Sequence, residues 1–328
     1  MRAPRFWAEP AGVLATLLSP LSLLWRLGAA IRKASIRPVS VGVPVICIGN
    51  VTAGGAGKTP LALAWLSRMS SDGRNVHVVS RGYGGRVTGP HRVDPSADRA
   101  EDVGDEPLLL ASFAPVWVAR DRAAGATAAV AAGAELILMD DGFQNPGLVK
   151  DASILVVDAG QGVGNGRIVP AGPLREPVAE ALARADAVVL VGDAQSRAKA
   201  QASLPWLADA IPARVEPLRT GLDLAGQRVV AFAGLGRPQK FFDTLRQAGA
   251  ILCRAEAFPD HHIYTPKVLD RLIRTARAEQ ALLITTEKDA VRISPAYRNE
   301  LMVLPVQMVV EDWTALEAIV NRLVAKSP

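Results

Sequence analysis

Short apolar runs alternate with segments of helical spacing through the first part of the chain. Six runs between residues 45 and 191 are rich in β-branched residues and bounded by turn residues, which is typical of buried strands. The predicted strands are residues 45–48, 75–80, 116–119, 135–139, 152–157 and 187–191. Strands that alternate with helices predict an α/β fold with a mostly parallel sheet.

Residues 195–227 lose this alternation because prolines and glycines interrupt them. A second series follows, with strands at 228–233 and 282–286, helices at 241–248 and 266–280, a largely extended segment at 302–310 and a closing helix at 314–323. We therefore expect three parts: an N-terminal helical segment (1–36), a larger α/β domain (37–222) and a smaller C-terminal α/β domain (223–328).

The loop after the first predicted strand carries a phosphate-binding pattern. Three closely spaced glycines precede Lys58, Thr59 and apolar residues at helical spacing. Glycines let N–H groups crowd around an anion, the lysine reaches the β- and γ-phosphates, and the threonine hydroxyl binds Mg²⁺. This context predicts a P-loop, although Thr52 stands where the usual pattern has glycine. The expected nucleotide-binding residues are Thr52, Ala53, Gly54, Gly55, Ala56, Gly57, Lys58 and Thr59.

Residues 10–25 are uncharged, and basic residues lie on both sides of them. This stretch is shorter than the ~20 residues that span a bilayer, and Pro20 interrupts it. A basic-flanked apolar helix with Trp25 suits the membrane interface, so we expect it to lie flat rather than to span. The alternatives are a helix packed on the protein's own core and a cleaved signal peptide. The latter would send a P-loop to a compartment without ATP.

Composition and charge narrow the classes of function. Hydrophobic residues make up 49% and charged residues 21%, as in globular proteins. The net charge of +5 and the pI near 9.5 suit an acidic partner. The sequence has neither arginines that alternate with aromatic residues nor the spacing of zinc ligands, so it does not favour a nucleic-acid partner. Cys47 and Cys253 lie in separate apolar runs, which favours buried thiols in a reducing compartment.

Two acidic stretches supply candidate catalytic carboxylates. Asp140 and Asp141 follow an apolar strand downstream of the P-loop, which is typical of a Walker B motif and predicts a Mg²⁺ ligand. Residues 101–107 form an acidic loop before a predicted helix. There, Asp105 or Glu106 either caps the helix or takes a proton from a substrate hydroxyl.

Three further loops carry charged or ionisable residues. Arg175 and Glu176 end a long loop rich in glycine and proline, which makes them either functional or a surface pair. A glycine-rich turn after the second strand carries arginines that either contact phosphate or simply flank the turn.

The adjacent His261 and His262 have no third metal ligand at a usual spacing. We expect a histidine that assists a carboxylate base or, alternatively, a structural histidine.

Seven stretches, taken together and in order, closely resemble the tetraacyldisaccharide 4'-kinase family of lipid A biosynthesis. They are residues 49–60 (GNVTAGGAGKTP), 80–85 (SRGYGG), 104–107 (GDEP), 140–144 (DDGFQ), 172–176 (GPLRE), 258–261 (FPDH) and 286–290 (TEKDA). The resemblance runs from the N-terminal helix to about residue 290, and Thr52 in the P-loop is itself the family's form. One departure is Asn145, where the family often has histidine.

The resemblance implies a kinase that uses ATP and Mg²⁺ to phosphorylate the 4'-hydroxyl of a lipid disaccharide 1-phosphate. It implies work at the cytoplasmic face of the bacterial inner membrane, with neither nucleic acid nor an obligate protein partner. It also implies a P-loop NTPase-like domain and a smaller C-terminal domain that closes over the active site.

Site roles also follow from the resemblance. It implies Asp105 as the base with His261 in support, and Thr59, Asp140 and Glu176 around Mg²⁺. It further implies that Asp141 supports the P-loop. With Lys58, the expected catalytic set is Asp105, His261, Asp140, Asp141, Glu176 and Lys58.

Two rival functions stay open on the residues alone. A membrane-associated P-loop ATPase switch would act through a protein partner. Ala53 replaces the signature lysine of partitioning ATPases, however, and a Cys-x-Cys metal motif is lacking. A soluble small-molecule kinase would instead use the apolar N-terminus as core.

Overall fold

A computed structural model of the chain describes residues 4–218 and 223–325. The strands are β1 Val45–Gly49, β2 Val76–Ser80, β3 His91–Arg92, β4 Val116–Val118, β5 Leu136–Asp140, β6 Ala152–Asp158, β7 Ala187–Val191, β8 Ile211–Pro217, β9 Arg228–Ala233, β10 Ile251–Ala257, β11 Leu282–Thr286, β12 Met302–Leu304 and β13 Val306–Val310. The helices are α1 Val13–Ser35, α2 Lys58–Ser71, α3 Ala100–Val103, α4 Asp105–Leu110, α5 Arg122–Ala131, α6 Val178–Leu182, α7 Ala194–Ser203, α8 Pro238–Gln247, α9 Pro266–Ala278, α10 Glu287–Ala290 and α11 Thr314–Val324.

Strands β1 to β8 and β13 form one large sheet. Its strand order is β13-β8-β7-β6-β1-β5-β2-β4-β3. Neighbouring strands run parallel except at the two edges, where β13 and β3 pair antiparallel with β8 and β4. The predicted mostly parallel α/β sheet is confirmed. β1 lies between β5 and β6, so the loops that follow these three strands meet at one edge of the sheet.

Alternate side chains of the central strands enter two hydrophobic cores on opposite faces of the sheet. In β1, Ile46 and Ile48 pack in the core under α2, whereas Val45 and Cys47 pack in the core on the other face. Every residue of β1 is buried. Helices cover both faces of this parallel sheet, which explains why β1 is continuously apolar rather than alternating.

A smaller parallel sheet with the order β10-β9-β11-β12 forms the second unit. The chain then returns to the large sheet, where β13 pairs with β8 and α11 packs in the core under α2. The predicted C-terminal domain of residues 223–328 is therefore wrong in its last part, because residues 306–324 belong to the larger unit. The predicted boundary at 222–223 borders residues 219–222, which lie outside the described residues.

Proline explains two differences from the predicted strands. The segment 302–310 is two strands in two different sheets, which Pro305 separates because it cannot donate to a ladder. Strand β8 was not predicted, because Pro212 and Pro217 within it argue against a strand in a sequence-based prediction.

Helix α1 is one continuous helix of 23 residues with Pro20 inside it. A face of small residues packs on the protein: Ala15 and Ser22 are buried, and Ser22 Oγ donates to Ile168 O at 2.7 Å. The other side exposes apolar side chains, including Leu17 at 70% and Leu24 at 64%. The sequence analysis expected residues 10–25 to be too short to span a bilayer, but the helix runs to Ser35 and is long enough. By length and composition alone this helix could cross a membrane. Core helices of soluble proteins and signal sequences meet the same two criteria.

Candidate active site

The P-loop joins the end of β1 to the start of α2. Gly54 and Gly57 have φ angles of +119° and +93°, which disfavour any side chain. Gly49 is required by close approach, since a Cβ there would lie 2.4 Å from the Cβ of Phe143 in the loop after β5. The N-terminus of α2 and the loop amides therefore form a preorganised anion site.

Asn50 organises this loop and was missed by the sequence analysis. Its buried side-chain amide donates to Thr52 O at 2.7 Å and to Gly54 O at 3.3 Å. Its Oδ1 accepts a hydrogen bond from Lys58 Nζ at 3.1 Å. Asn50 lies in the 49–60 motif, but its residue type indicated no role, because asparagine is common in loops of every kind.

Lys58 Nζ also lies 3.7 Å from Asp141 Oδ1. Arg175 Nη1 pairs with the same oxygen at 3.1 Å. Asp141 adopts a left-handed backbone conformation with φ near +47°. Burial raises the pKa of Asp141, but the charges of Lys58 and Arg175 outweigh this and leave it below its ordinary value. The structure therefore places Asp141 beside the P-loop lysine, while its expected role in supporting the P-loop stays a prediction.

Asp140 ends β5 and is fully buried beside the P-loop. Ser80 Oγ donates to its Oδ2 at 3.4 Å, while Oδ1 has no hydrogen-bond partner among the described residues. Burial, then the charges of Glu106 and Asp141, raises the pKa of Asp140 to about 7. A buried carboxylate with an unpaired oxygen is costly unless a cation compensates it, so this position fits a divalent metal ligand.

Glu176 lies nearby with both carboxylate oxygens engaged. Gln144 Nε2 donates to Oε1 at 2.9 Å, and Arg184 Nη2 donates to Oε2 at 2.7 Å. Within residues 4–218 and 223–325, no three His, Cys, Asp or Glu side chains form a metal-binding group. A cation here would thus rely on Asp140, the Thr59 hydroxyl and ligand oxygens, and Glu176 would bind it only after exchanging partners.

Asp105 and His261 come together from the two units of the chain. Asp105 begins α4 in the larger unit, and His261 lies in the loop after β10 of the smaller one. His261 Nδ1 is 2.7 Å from Asp105 Oδ2, and Arg292 Nε donates to the same oxygen at 2.8 Å. Burial raises the pKa of Asp105, but the hydrogen bond from His261 and the charge of Arg292 hold it below its ordinary value.

The neighbours of these two residues have other contacts. Glu106 accepts a hydrogen bond from Lys288 Nζ at 3.1 Å across the same boundary. His262 stacks on Phe258 with ring centroids 4.6 Å apart and packs edge-on to Tyr264. These contacts distinguish Asp105 from Glu106 and His261 from His262, because of these four residues only Asp105 and His261 contact each other.

A second contact between the units reaches the P-loop and was also missed. Asp158, at the end of β6, accepts hydrogen bonds from Arg237 Nη2 and Lys240 Nζ, both at 2.6 Å. Arg237 also donates to Gly55 O at 2.9 Å. Burial raises the pKa of Asp158, but these two cations outweigh burial and lower it. Only the position of an aspartate at a strand end hinted at this role.

Lys150 holds the loop after β5 in place. Its Nζ donates to the carbonyls of Gly142, Phe143 and Asn145 at 3.1, 3.0 and 2.7 Å. Asn145 Oδ1 accepts from Gly147 N at 2.8 Å, which is a local turn interaction. The departure at Asn145 therefore has a structural role in this chain.

Comparison with known proteins identifies the family of the chain. The family profile of tetraacyldisaccharide-1-P 4'-kinases matches residues 14–325. The chain belongs to this family. The tetraacyldisaccharide 4'-kinase of Jannaschia sp. (strain CCS1) is 51% identical over 328 residues, covering 99% of this chain and 100% of that protein. That of Dinoroseobacter shibae is 50% identical, covering 98% of each chain.

A solved structure of the family has the same fold. The crystal structure of the "apo" form of LpxK from Aquifex aeolicus in complex with ATP aligns with a TM-score of 0.74 at 26% identity. The alignment covers 95% of this chain and 100% of that one. The expected family, fold class and kinase activity are thereby confirmed, while the roles of individual site residues stay predictions.

Proposed function

We propose that this chain transfers the γ-phosphate of ATP to the 4'-hydroxyl of a tetraacyldisaccharide 1-phosphate, which yields lipid IVA. The observation that carries the proposal is the pairing of two chemical parts in a chain of this kinase family. A P-loop with Lys58 is suited to hold the nucleotide, and the Asp105–His261 pair is suited to accept a proton. Helix α4, which begins at Asp105, packs in the same hydrophobic core as α2, which begins at Lys58. The two parts are therefore neighbours.

The nucleotide phosphates would bind the loop amides, the N-terminus of α2 and Lys58. Asn50 and Asp141 orient the Lys58 ammonium by contacts of 3.1 and 3.7 Å. Asp140 and Thr59 would hold Mg²⁺, with Glu176 as a further candidate. When bound, Mg²⁺ neutralises phosphate charge and so favours attack at the γ-phosphorus.

Asp105 is the proposed general base. The substrate 4'-oxygen forms a bond to the γ-phosphorus, the bond to the β,γ-bridging oxygen breaks, and the hydroxyl proton passes to Asp105. ADP leaves with the bridging oxygen. Asp105 stays ionised until it accepts the proton, because His261 and Arg292 lower its pKa. His261 holds the carboxylate at 2.7 Å and disperses its charge.

Helix α1 is proposed to bring the enzyme to the cytoplasmic face of the inner membrane, where the acyl chains of the substrate remain. Its exposed leucines support this, since burying one leucine side chain contributes roughly 2 kcal/mol. Arg26, Arg32 and Lys33 follow the apolar stretch and would meet anionic headgroups. The proposed reaction needs no protein partner. Membership of a kinase family disfavours the alternative of an ATPase switch.

The test is transfer of labelled γ-phosphate from ATP to tetraacyldisaccharide 1-phosphate in detergent micelles. We expect transfer by the full chain and a loss of ~10²-fold or more in Lys58→Ala, because the lysine contacts the transferring phosphate. Lys199→Ala, on the exposed side of α7, is the matched control. Lys58-dependent ATP hydrolysis without lipid phosphorylation would overturn the proposal and favour the switch.

A further inference from the structure

Arg292 lies between two carboxylates at the boundary of the two units. Its Nε donates to Asp105 Oδ2 at 2.8 Å, and its Nη2 lies 2.8 Å from the same oxygen in ion-pair contact. On its other side, Nη1 donates to Asp289 Oδ1 at 3.1 Å and to Gly234 O at 3.3 Å. Its side chain is only 5% exposed. A guanidinium enclosed in this way has little freedom to choose another geometry.

Asp289 is the anchor of this arrangement and is completely buried. Its carboxylate accepts hydrogen bonds from the Gly234 amide at 2.9 Å, the Tyr264 hydroxyl at 2.8 Å and the Thr286 hydroxyl at 2.6 Å. These donors come from the end of β9, the loop after β10 and the end of β11. Asp289 is thus fixed by the framework of the smaller unit, and it fixes Arg292 in turn.

The contacts to Asp105 are unevenly divided between its two oxygens. His261 Nδ1 and the Nε and Nη2 atoms of Arg292 lie at Oδ2. Among the described residues, Oδ1 accepts no hydrogen bond from His261 or Arg292, so it is the oxygen left to accept a proton. A carboxylate held by one oxygen from two directions cannot rotate freely, and positioning within a fraction of an ångström matters strongly for proton transfer.

We propose that Arg292, held by Asp289, is a positioning residue that fixes Asp105 on Oδ2 and leaves Oδ1 for the substrate hydroxyl. This inference rests on the proposed role of Asp105 as base. It assigns the smaller unit a second task besides supplying His261. The base is oriented only while Arg292 and Asp105 are in contact, so that contact ties base orientation to the contact between the two units.

The test compares the full-length Arg292→Lys and Arg292→Met variants with the wild-type enzyme in the micelle transfer assay. Lysine keeps the charge but lacks the planar fork that contacts two carboxylates at once. We expect kcat to fall by ~10-fold in Arg292→Lys and by more in Arg292→Met, with the KM for ATP changed less than ~2-fold. Arg277→Met is the matched control, because Arg277 pairs with Glu300 on the exposed surface.

A pH profile separates positioning from a general loss of structure. The titratable or charged groups that face Asp105 are His261, Lys288 and Arg292, with Glu106 beside it in sequence. Removing the Arg292 charge should raise the pKa of Asp105. A base must be ionised, so activity is lost as the pH falls through its pKa. The acidic limb of kcat/KM should therefore move to higher pH in Arg292→Met and not in Arg277→Met.

A double-substitution cycle keeps the test decisive if Arg292→Met is less stable. If Arg292 acts through Asp105, adding Arg292→Met to Asp105→Asn should cost no further activity. Independent, multiplying losses in the double variant would overturn the inference, as would wild-type kcat in both Arg292 variants. Asp105→Ala separates the two levels: normal kcat there removes the base assignment itself, whereas a loss there with normal Arg292 variants removes only this inference.

Discussion

The nucleotide side and the acceptor side of the site are built in different ways. The nucleotide side comprises Asn50, Lys58, Asp140, Asp141 and Arg175, all from the larger unit. The acceptor side comprises Asp105 from the larger unit and His261, Asp289 and Arg292 from the smaller one. A relative movement of the units would separate the acceptor side, whereas near the P-loop it would break the contacts of Arg237 and Lys240 but none among these five residues. The phosphate-binding side is therefore formed within one unit, whereas the side that holds the base is formed by contact between the two units.

The two sides also differ in their electrostatics. On the nucleotide side, Asp140 has an unpaired oxygen and a raised pKa of about 7, because it is buried among other acids. On the acceptor side, cations hold the pKa of Asp105 below its ordinary value. Among the described residues, Asp140 forms no ion pair, whereas Asp105 pairs with Arg292. This contrast suits one to bind Mg²⁺ and the other to act as a base.

The largest effect should come from Asp105→Ala. We expect kcat to fall ~10²-fold or more with a modest change in the KM for ATP, because the base acts only on the acceptor. Steady-state transfer kinetics check this. Asp102→Ala is the control, since Asp102 pairs with the exposed Arg86 in the same acidic stretch. A raised KM for ATP with unchanged kcat would make Asp105 a binding residue.

A smaller loss is expected for His261→Gln. We expect kcat to fall ~10-fold, because the carboxylate keeps Arg292 but loses its second partner. His262→Phe preserves the ring that stacks on Phe258 and should stay within ~2-fold of wild type. Equal losses in the two variants, measured by the same assay, would mean that the loop as a whole matters rather than the His261 contact.

The contact of Asp158 with Arg237 and Lys240 predicts a pH-dependent effect on stability. The lowered pKa of Asp158 in the folded state means that its contribution is present above pH ~4 and is lost as the pH falls through the folded pKa. Both cations are partly exposed, so Asp158→Asn should cost only about 1 kcal/mol at pH 7.

Denaturant unfolding at several pH values checks the Asp158 prediction. The difference between wild type and Asp158→Asn should shrink as the pH falls below ~4. Asp209→Asn, at an exposed position, is the control. A difference that grows in acid would contradict the assigned ion pair.

The smallest effect on turnover in micelles is expected for helix α1. Leu17→Ser with Leu24→Ser should keep kcat in detergent within ~2-fold but reduce binding to vesicles that contain anionic lipid, because exposed apolar area is removed. Vesicle co-sedimentation measures this, and Phe113→Ser tests a half-exposed aromatic elsewhere. A truncation of residues 1–33 that kept full activity and full membrane association would remove the proposed role of α1.

The same contrast explains what could be predicted from the sequence. The parallel sheet and the P-loop were predictable because strand, glycines, Lys58 and Thr59 are contiguous, and local spacing carries that signal. The role of Arg292 was not, because it depends on Asp105, which is distant in the chain, and because Arg292 itself lies just outside the 286–290 motif. Asn50 was missed although it lies in the motif, since only the folded loop shows its amide joining Thr52, Gly54 and Lys58.

The return of the chain to the large sheet was hidden for a similar reason. Residues 302–310 have the composition of one strand, and only pairing partners distinguish β12 from β13. The resemblance to the family placed Asp105 and His261 in the site, but the residues alone left Asp105 and Glu106 equivalent. Their different partners, Arg292 and Lys288, separate them only in three dimensions.

The most direct test of the division into two sides is the affinity for ATP, measured by titration calorimetry on Lys58→Ala and Asp105→Ala in parallel. We predict that Lys58→Ala weakens ATP binding ~10-fold or more, since it loses a charged contact to phosphate. Asp105→Ala should keep the wild-type Kd within ~2-fold while it loses transfer. If Asp105→Ala weakens ATP binding as much as Lys58→Ala does, the two sides are not separate and the account is contradicted.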